Sequence, residues 1–217
     1  MYQIILKNKI YIFFFLLFII FGAFLYQVNK FRNIDESFNS PKDNLSVTEL
    51  KQIKEGDIIL RRGYGWVSDA IQNMNADKRN ITHCGIIVKQ KNQWYVIHSI
   101  SGHISKNDGV QIEHIHQFTN GAKENSIIIV RPQIEDSVRV KIINKSFYYL
   151  SNKTPFDNAF SHKDSLSFYC TEFIHHIIST STDTNIFNKE KWIRNDVIGF
   201  EEFFDQTQFL MIINHQK

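Results

Sequence analysis

The chain has 217 residues, of which 43% are hydrophobic and 22% are charged, and its formal net charge is +3. This composition is sufficient for a hydrophobic core and excludes a globally disordered chain. The charge does not indicate a nucleic-acid partner, because four basic and no acidic side chains fall within residues 1–33 and the rest of the chain is close to neutral.

The first predicted element is an uncharged apolar run from Ile10 to Val28. At about 1.5 Å per residue, a helix over this run approaches the ~30 Å thickness of a bilayer core. We therefore predict a cytoplasmic tail and a transmembrane anchor in residues 1–32. The protein is expected in the cell membrane as a single-pass protein, with the rest of the chain on the periplasmic or extracellular side. A cleaved signal peptide is the alternative.

Residues 33–54 are polar and contain Pro41, which predicts a linker, and residues 55–217 are predicted to form one catalytic domain. Within this domain, strand patterns come first and helical patterns follow. A run of strands followed by helices predicts an α+β fold with an antiparallel sheet. Strands are predicted over 57–61, 82–88, 94–100, 109–113 and 126–131, helices over 66–74, 136–150 and 169–178, and a short helix with a closing strand within 197–213.

Cys170 stands at the start of the helix predicted over residues 169–178. The partial positive charge of a helix N-terminus favours a thiolate, which is the form that a cysteine nucleophile requires. A buried structural cysteine is the alternative. The only other cysteine is Cys84, and the two could form a disulfide in an exported protein.

His83 and Cys84 follow each other in a predicted strand, so alternation places their side chains on opposite faces. If His83 faces a cleft, Cys84 packs on the other side, which argues against a Cys84–Cys170 disulfide. A short hairpin can place His98 of the next strand beside His83, where a polar group would orient the imidazole of a base. A hydrogen-bonded core histidine at His83 and a solvent-facing histidine at His98 are the alternatives.

The remaining histidines do not predict a metal site. His114 and His116 alternate on one strand face and could bind a metal with His103, but no cysteine or carboxylate stands at a recognisable spacing from them. His175 and His176 point to different faces of a helix. We predict no metal and no cofactor.

Several motifs occur in a characteristic order along the chain: GDIIL at 56–60, THCGIIV at 82–88, WYVIHSI at 94–100 and FYCTEFI at 168–174. In this order they resemble the circularly permuted branch of the NlpC-type papain-like cysteine hydrolases, in particular the YiiX-like group. The resemblance implies a papain-like α+β fold whose antiparallel sheet packs against the nucleophile-bearing helix, preceded in this chain by the predicted transmembrane helix.

The resemblance also implies roles for individual residues. It implies Cys170 as the nucleophile, His83 as its base and His98 as the orienting group. Tyr64, Trp66 and Ser68 lie in the segment that would roof the cleft and bind substrate. Tyr169 would line the cleft or assist an oxyanion, with core packing as the alternative.

These observations predict a membrane-anchored cysteine hydrolase that transfers acyl groups from a cell-envelope amide or peptide. One alternative is a lipid-directed amidase, thioesterase or acyltransferase. Others are a non-catalytic binding module and a disulfide-stabilised structural protein. The expected partners are the substrate and, through the N-terminal helix, the membrane, with no nucleic acid.

Overall fold

The structure is a computed structural model that describes residues 14–28, 42–75, 79–161, 166–183, 186–187 and 197–216. The chain divides into two compact units, residues 1–40 and residues 41–217.

In the first unit, residues 14–28 are helical. Within the part of the chain that the structure describes, no helix has the length and apolar character needed to cross a membrane. The prediction of a transmembrane helix before the domain is therefore wrong. Residues 10–13 of the predicted span lie outside the described residues.

The second unit alternates strands and helices as an α+β fold. The strands are β1 (Ile58–Arg61), β2 (His83–Gln90), β3 (Gln93–Ile100), β4 (Gly109–His114), β5 (Ile128–Pro132) and β6 (Phe209–Asn214). The helices are α1 (Val47–Leu50), α2 (Trp66–Met74), α3 (Ile115–Asn120), α4 (Asp136–Ser151) and α5 (Cys170–Ser179), and a 3-10 helix spans Glu201–Phe204. The described strands form one sheet in the order β4-β3-β2-β1-β5-β6, with every neighbouring pair antiparallel. The predicted α+β fold with an antiparallel sheet is confirmed.

The β2–β3 hairpin sets the register of the central strands. Lys91 and Asn92 form its turn, and both have positive φ angles, of 47° and 62°. Two such residues match the twist of paired strands, as in type I′ turns. Ile86 of β2 therefore pairs with Ile97 of β3, which brings the beginning of β2 and the end of β3 together.

Each face of the sheet carries its own apolar layer. One layer joins Cys84 and Ile86 of β2 to α5, and the other joins Ile87 of β2 to Phe118 of α3. Helix α5 lies over β2 and β3. The predicted packing of the sheet against the helix that carries Cys170 is therefore observed.

Part of the segment assigned to a linker from sequence is built into this fold. Leu45 and Ile53 are buried in the layer that contains α3. The Asp43 carboxylate accepts hydrogen bonds from the backbone N–H groups of Ser126 and Ile127, at 2.9 and 3.0 Å. These contacts attach residues 42–54 to the layer that contains α3 and to the residues that lead into β5.

Candidate active site

The site begins where β1 ends and β2 starts. Arg61, the last residue of β1, is the Cα partner of His83, the first residue of β2. Directly opposed residues of an antiparallel pair project to the same face. The two side chains therefore emerge together, on the face that carries α3.

The imidazoles of His83 and His98 are joined by a hydrogen bond. The distance from His83 Nε2 to His98 Nδ1 is 2.8 Å, and both side chains are buried. On the far side of His98, its Nε2 lies 3.1 Å from Oε1 of Glu113 on β4. In the register of β3 and β4, Glu113 pairs with Val96, two residues before His98, so it shares the face of both histidines. The three side chains form a continuous line, Glu113–His98–His83.

This line determines which nitrogens carry protons. Burial lowers the pKa of His83 well below its ordinary value, with His98 and Arg61 adding to the effect. Burial also lowers the pKa of His98, although Glu113 opposes the shift. Both imidazoles are therefore neutral at neutral pH.

The position of each proton then follows from the Glu113 carboxylate, which can only accept a hydrogen bond. A carboxylate has no proton to donate, so the proton of His98 is on Nε2, facing Glu113. His98 Nδ1 is left as an acceptor, and His83 Nε2–H donates to it. The Nδ1 lone pair of His83 is consequently available as a base.

Phe118 of α3 packs against His83, His98 and Arg61. Its ring stacks on His83 at 5.6 Å between centroids and meets His98 edge-on at 5.5 Å. The Arg61 guanidinium lies over the same ring, 4.4 Å from its centroid. One apolar side chain thus fixes the orientation of three functional groups.

Cys170 is the first residue of α5, and the structure ties the start of this helix to β3. The Ser99 hydroxyl donates to the Phe168 carbonyl at 2.6 Å. On either side of the cysteine, Thr171 Oγ1 donates to the Ile198 carbonyl at 2.7 Å, and the Ile198 N–H donates to Tyr169 Oη at 2.8 Å. These bonds hold the helix N-terminus, and with it Cys170, against the sheet.

The Cys170 thiol is adjacent to Cys84. A hydrogen bond from the Cys84 side chain lowers the pKa of Cys170, against the effect of burial, and the backbone N–H groups of Cys84, Thr171 and Cys170 add to the lowering. Burial raises the pKa of Cys84 well above its ordinary value. Both cysteines are free thiols, so the pair is not a disulfide. The two shifts favour the thiolate form at Cys170 and the protonated thiol at Cys84.

Alternation along β2 holds as expected from the sequence. Cys84 lies in the apolar layer under α5, and His83 stacks on Phe118 in the opposite direction. The structure therefore brings Cys170 against the chain neighbour of His83. Arg61, the strand partner of His83, also interacts electrostatically with Cys170.

The residues predicted to bind substrate occupy different environments. Trp66 is 54% exposed at the start of α2, and Tyr64 is partly exposed, with its hydroxyl donating to the Ala122 carbonyl at 3.3 Å. Ser68 is buried, and its hydroxyl is hydrogen-bonded to that of Thr82, the residue before His83.

Tyr169 is only 2% exposed, and burial raises the pKa of its phenol. Its hydroxyl accepts a hydrogen bond from the Ile198 N–H. The contacts of Tyr169 are those of a residue that holds the helix start in place, which matches the core-packing alternative.

Sequence reasoning missed Arg61 and Glu113 as members of this cluster. Glu113 lies on β4, where the apolar positions are Val110 and Ile112. Alternation alone could not place Glu113 beside His98, because that placement also requires the register of β3 and β4. Arg61 carries no local motif beyond its position next to Arg62.

Among the described residues, no group of three or more His, Cys, Asp or Glu side chains is arranged to hold a metal ion. The arrangement found is instead a thiol with a lowered pKa at a helix N-terminus and a neutral, oriented imidazole on the strand that the helix covers. This combination is suited to nucleophilic attack on a carbonyl carbon.

Comparison with known proteins identifies a family and a fold. Residues 52–197 match the family described as permuted papain-like amidase enzymes, YaeF/YiiX, C92 family. A solved structure described as the metalloprotein YiiX from Escherichia coli O157:H7 is similar, with a TM-score of 0.62 and 18% sequence identity over 76% of this chain and 99% of that chain. At this identity the likeness establishes the fold alone. No curated protein matches the chain.

Proposed function

Since the chain belongs to the permuted papain-like amidase family of YaeF and YiiX, we propose that it is a cysteine amidase that uses Cys170 as its nucleophile and His83 as its general base. The resemblance found in the sequence motifs is thereby confirmed at the level of the family. The observation that carries the residue assignment is the Glu113–His98–His83 line, which leaves His83 Nδ1 free to accept a proton.

The proposed reaction has two steps. His83 takes the thiol proton of Cys170, and the thiolate sulfur attacks the amide carbonyl carbon. The backbone N–H of Cys170 donates to the developing oxyanion. When the C–N bond breaks, His83 returns the proton to the leaving amine, and the acyl group remains on sulfur as a thioester.

Hydrolysis of the thioester restores the enzyme. His83 removes a proton from water as the water oxygen attacks the thioester carbonyl. The C–S bond then breaks, the sulfur leaves as the thiolate of Cys170, and the product is a carboxylic acid. His98 holds its hydrogen bond to His83 in both steps and keeps the same ring nitrogen available.

The substrate is proposed to be an amide of the peptide type, as in the amidase family. The test offers cell-envelope peptides and lipid amides in parallel to the full chain. Cys170→Ala is expected to abolish turnover. Cys84→Ala is expected to retain turnover with a shifted pH dependence, because its thiol modifies Cys170 without attacking substrate.

A second measurement tests the base. The alkylation rate of Cys170 is followed against pH in the wild-type protein and in His83→Ala. A profile that moves to higher pH in the variant supports the pair. The assignment is contradicted if Cys170→Ala retains turnover. It is also contradicted if the alkylation profile is the same in wild type and in His83→Ala.

A further inference from the structure

Arg61 differs from Arg62 and Arg131 in its ion pairing with the described residues. Arg62 is paired with Asp69, and Arg131 is paired with Asp57 through Nε at 2.7 Å and Nη2 at 2.8 Å. Arg61 forms no ion pair with a carboxylate in the described part of the chain. Its Nε is buried and has no hydrogen-bond partner there.

The position of this unpaired cation is fixed by its surroundings. The guanidinium carbon lies 4.4 Å from the centroid of the Phe118 ring, and a methyl group at Gly121 would meet its Nη1, so the residue after α3 packs against it. Arg61 is partly exposed as a residue, and its terminal nitrogens donate no hydrogen bond to any described residue. A guanidinium held in this way keeps the donors of its planar fork available for an incoming group.

The groups that face Arg61 do not neutralise it. Glu113 attracts the guanidinium, but His98 already engages its carboxylate. Burial lowers the pKa of Arg61, and the electrostatic interactions with Glu113, Cys170 and Tyr64 oppose this shift without reversing it. An uncompensated, partly buried cation is costly unless a ligand supplies the counter-charge.

We infer that Arg61 binds a carboxylate of the substrate, and that the amides cleaved by Cys170 carry this carboxylate close to the scissile carbonyl. One guanidinium fork matches one carboxylate in a bidentate pair. Arg61 is the strand partner of His83, so a carboxylate bound to it lies beside the proposed base. This inference rests on the proposed function and adds a substrate class to it.

The test needs no knowledge of the natural substrate. Iodoacetate and iodoacetamide alkylate thiols by the same displacement of iodide, but only iodoacetate carries a carboxylate. The ratio of their rate constants at Cys170, located by peptide mass spectrometry, therefore measures binding of a carboxylate near the thiol. The ratio is taken in the full-length protein and compared with that of a free cysteine peptide at the same pH and low salt.

We expect a wild-type ratio about tenfold above that of the peptide, falling toward the peptide value in Arg61→Gln. Arg61→Lys should keep part of the preference because it keeps the charge. Lys141→Gln is the matched control: it removes one positive charge from an exposed position on α4 and should leave the wild-type ratio unchanged.

A ratio that is equal in wild type and Arg61→Gln overturns the inference. If Arg61→Gln does not fold, the wild-type protein still tests the inference. A wild-type ratio equal to that of the peptide overturns it, and so does a wild-type ratio that does not change when salt is added. Failure of the proposed function looks different. In that case Cys170 reacts slowly with neutral iodoacetamide and with an ordinary pH dependence, whatever the ratio of the two reagents.

Discussion

His83 Nε2 and His98 Nδ1 are 2.8 Å apart, and the proton between them belongs to His83 because Glu113 occupies the other nitrogen of His98. Glu113 on β4 thus determines that Nδ1 is the nitrogen of His83, on β2, that can act as a base. The relationship extends over three adjacent strands and depends on their register. Each prediction below alters one part of this arrangement or of the fold that holds it.

The first prediction concerns Glu113→Gln. The amide keeps the shape of the side chain but loses the charge, and it can also present N–H groups to His98, which would reverse the proton order along the line. Hydrogen bonds to charged groups contribute about 1.5–3 kcal/mol, so kcat/KM should fall about 10- to 100-fold.

The control for this variant is Glu124→Gln, at an exposed position on the turn before β5. Nitrogen-15 NMR of the histidine rings provides a readout that a general loss of structure would not mimic. In wild type the His83 proton is expected on Nε2, and in Glu113→Gln a mixture of tautomers is expected. An unchanged tautomer with unchanged turnover would show that Glu113 does not position the base.

The second prediction concerns Gly85→Ala. Gly85 lies beside His98 across the β2–β3 pair, and a Cβ at this position would clash with Val96 Cγ1 and come 3.0 Å from His98 Cβ. The added methyl group must push β3 outward, which costs about 1–3 kcal/mol of stability. It should also lengthen the His83–His98 hydrogen bond and lower kcat in the fraction that remains folded.

Gly22→Ala is the matched control, because a Cβ at Gly22 meets nothing within 4 Å. Thermal unfolding and turnover are measured for both variants. If Gly85→Ala retains wild-type unfolding and turnover, the close contact between these strands is not required for the site.

These two predictions show what the sequence could and could not supply. The strands that carry His83 and His98 and the tight connection between them follow from local patterns, so their proximity could be predicted. Glu113 and Phe118 could not, because their contribution depends on the register of β4 and on the docking of α3, which are long-range features.

The N-terminal run shows a different limit. Its apolar composition predicted a transmembrane helix, whereas no helix in the described part of the chain is long and apolar enough to cross a membrane. Apolar composition by itself was therefore not sufficient for this prediction. Arg61 illustrates a related limit at a single residue, because the sequence does not indicate that Arg62 pairs with Asp69 while Arg61 forms no ion pair with a described residue.

The third prediction concerns Cys84→Ala. The hydrogen bond from Cys84 is the largest contribution that lowers the pKa of Cys170. Without it, the pKa of Cys170 should rise, and the alkylation profile of this thiol should move to higher pH. At a pH below the new value, the alkylation rate should fall in proportion to the thiolate fraction.

Cys84→Ser supplies the comparison, because a hydroxyl can still donate to the Cys170 sulfur. Its profile should lie closer to that of wild type than the profile of Cys84→Ala does. If all three proteins share one profile, backbone N–H groups account for the reactivity of Cys170, and the Cys84 side chain is a packing residue.

The fourth prediction concerns stability and His215, which connects the segment before β1 with the end of the chain. Its Nδ1 lies 2.7 Å from Asp43 Oδ1, and its Nε2 lies 2.8 Å from Glu49 Oε1. Both nitrogens face carboxylates, so both carry protons in the ion pair. Burial would lower the pKa of His215, but the hydrogen bonds and charges of Glu49 and Asp43 outweigh it and raise the pKa.

A histidine whose folded pKa is raised binds its proton more tightly in the folded state. Its contribution to stability is therefore complete below the unfolded pKa of about 6.5, and it is lost as the pH rises through the folded value. We expect the unfolding midpoint of wild type to fall between pH 6 and pH 8.5 by more than that of His215→Gln. His103→Gln, at an exposed position, should follow the wild-type curve. Parallel curves of unfolding midpoint against pH for wild type and His215→Gln would mean that the imidazolium does not contribute to stability. The hydrogen bonds from the backbone N–H groups of Ser126 and Ile127 to Asp43 would then hold the segment before β1 by themselves.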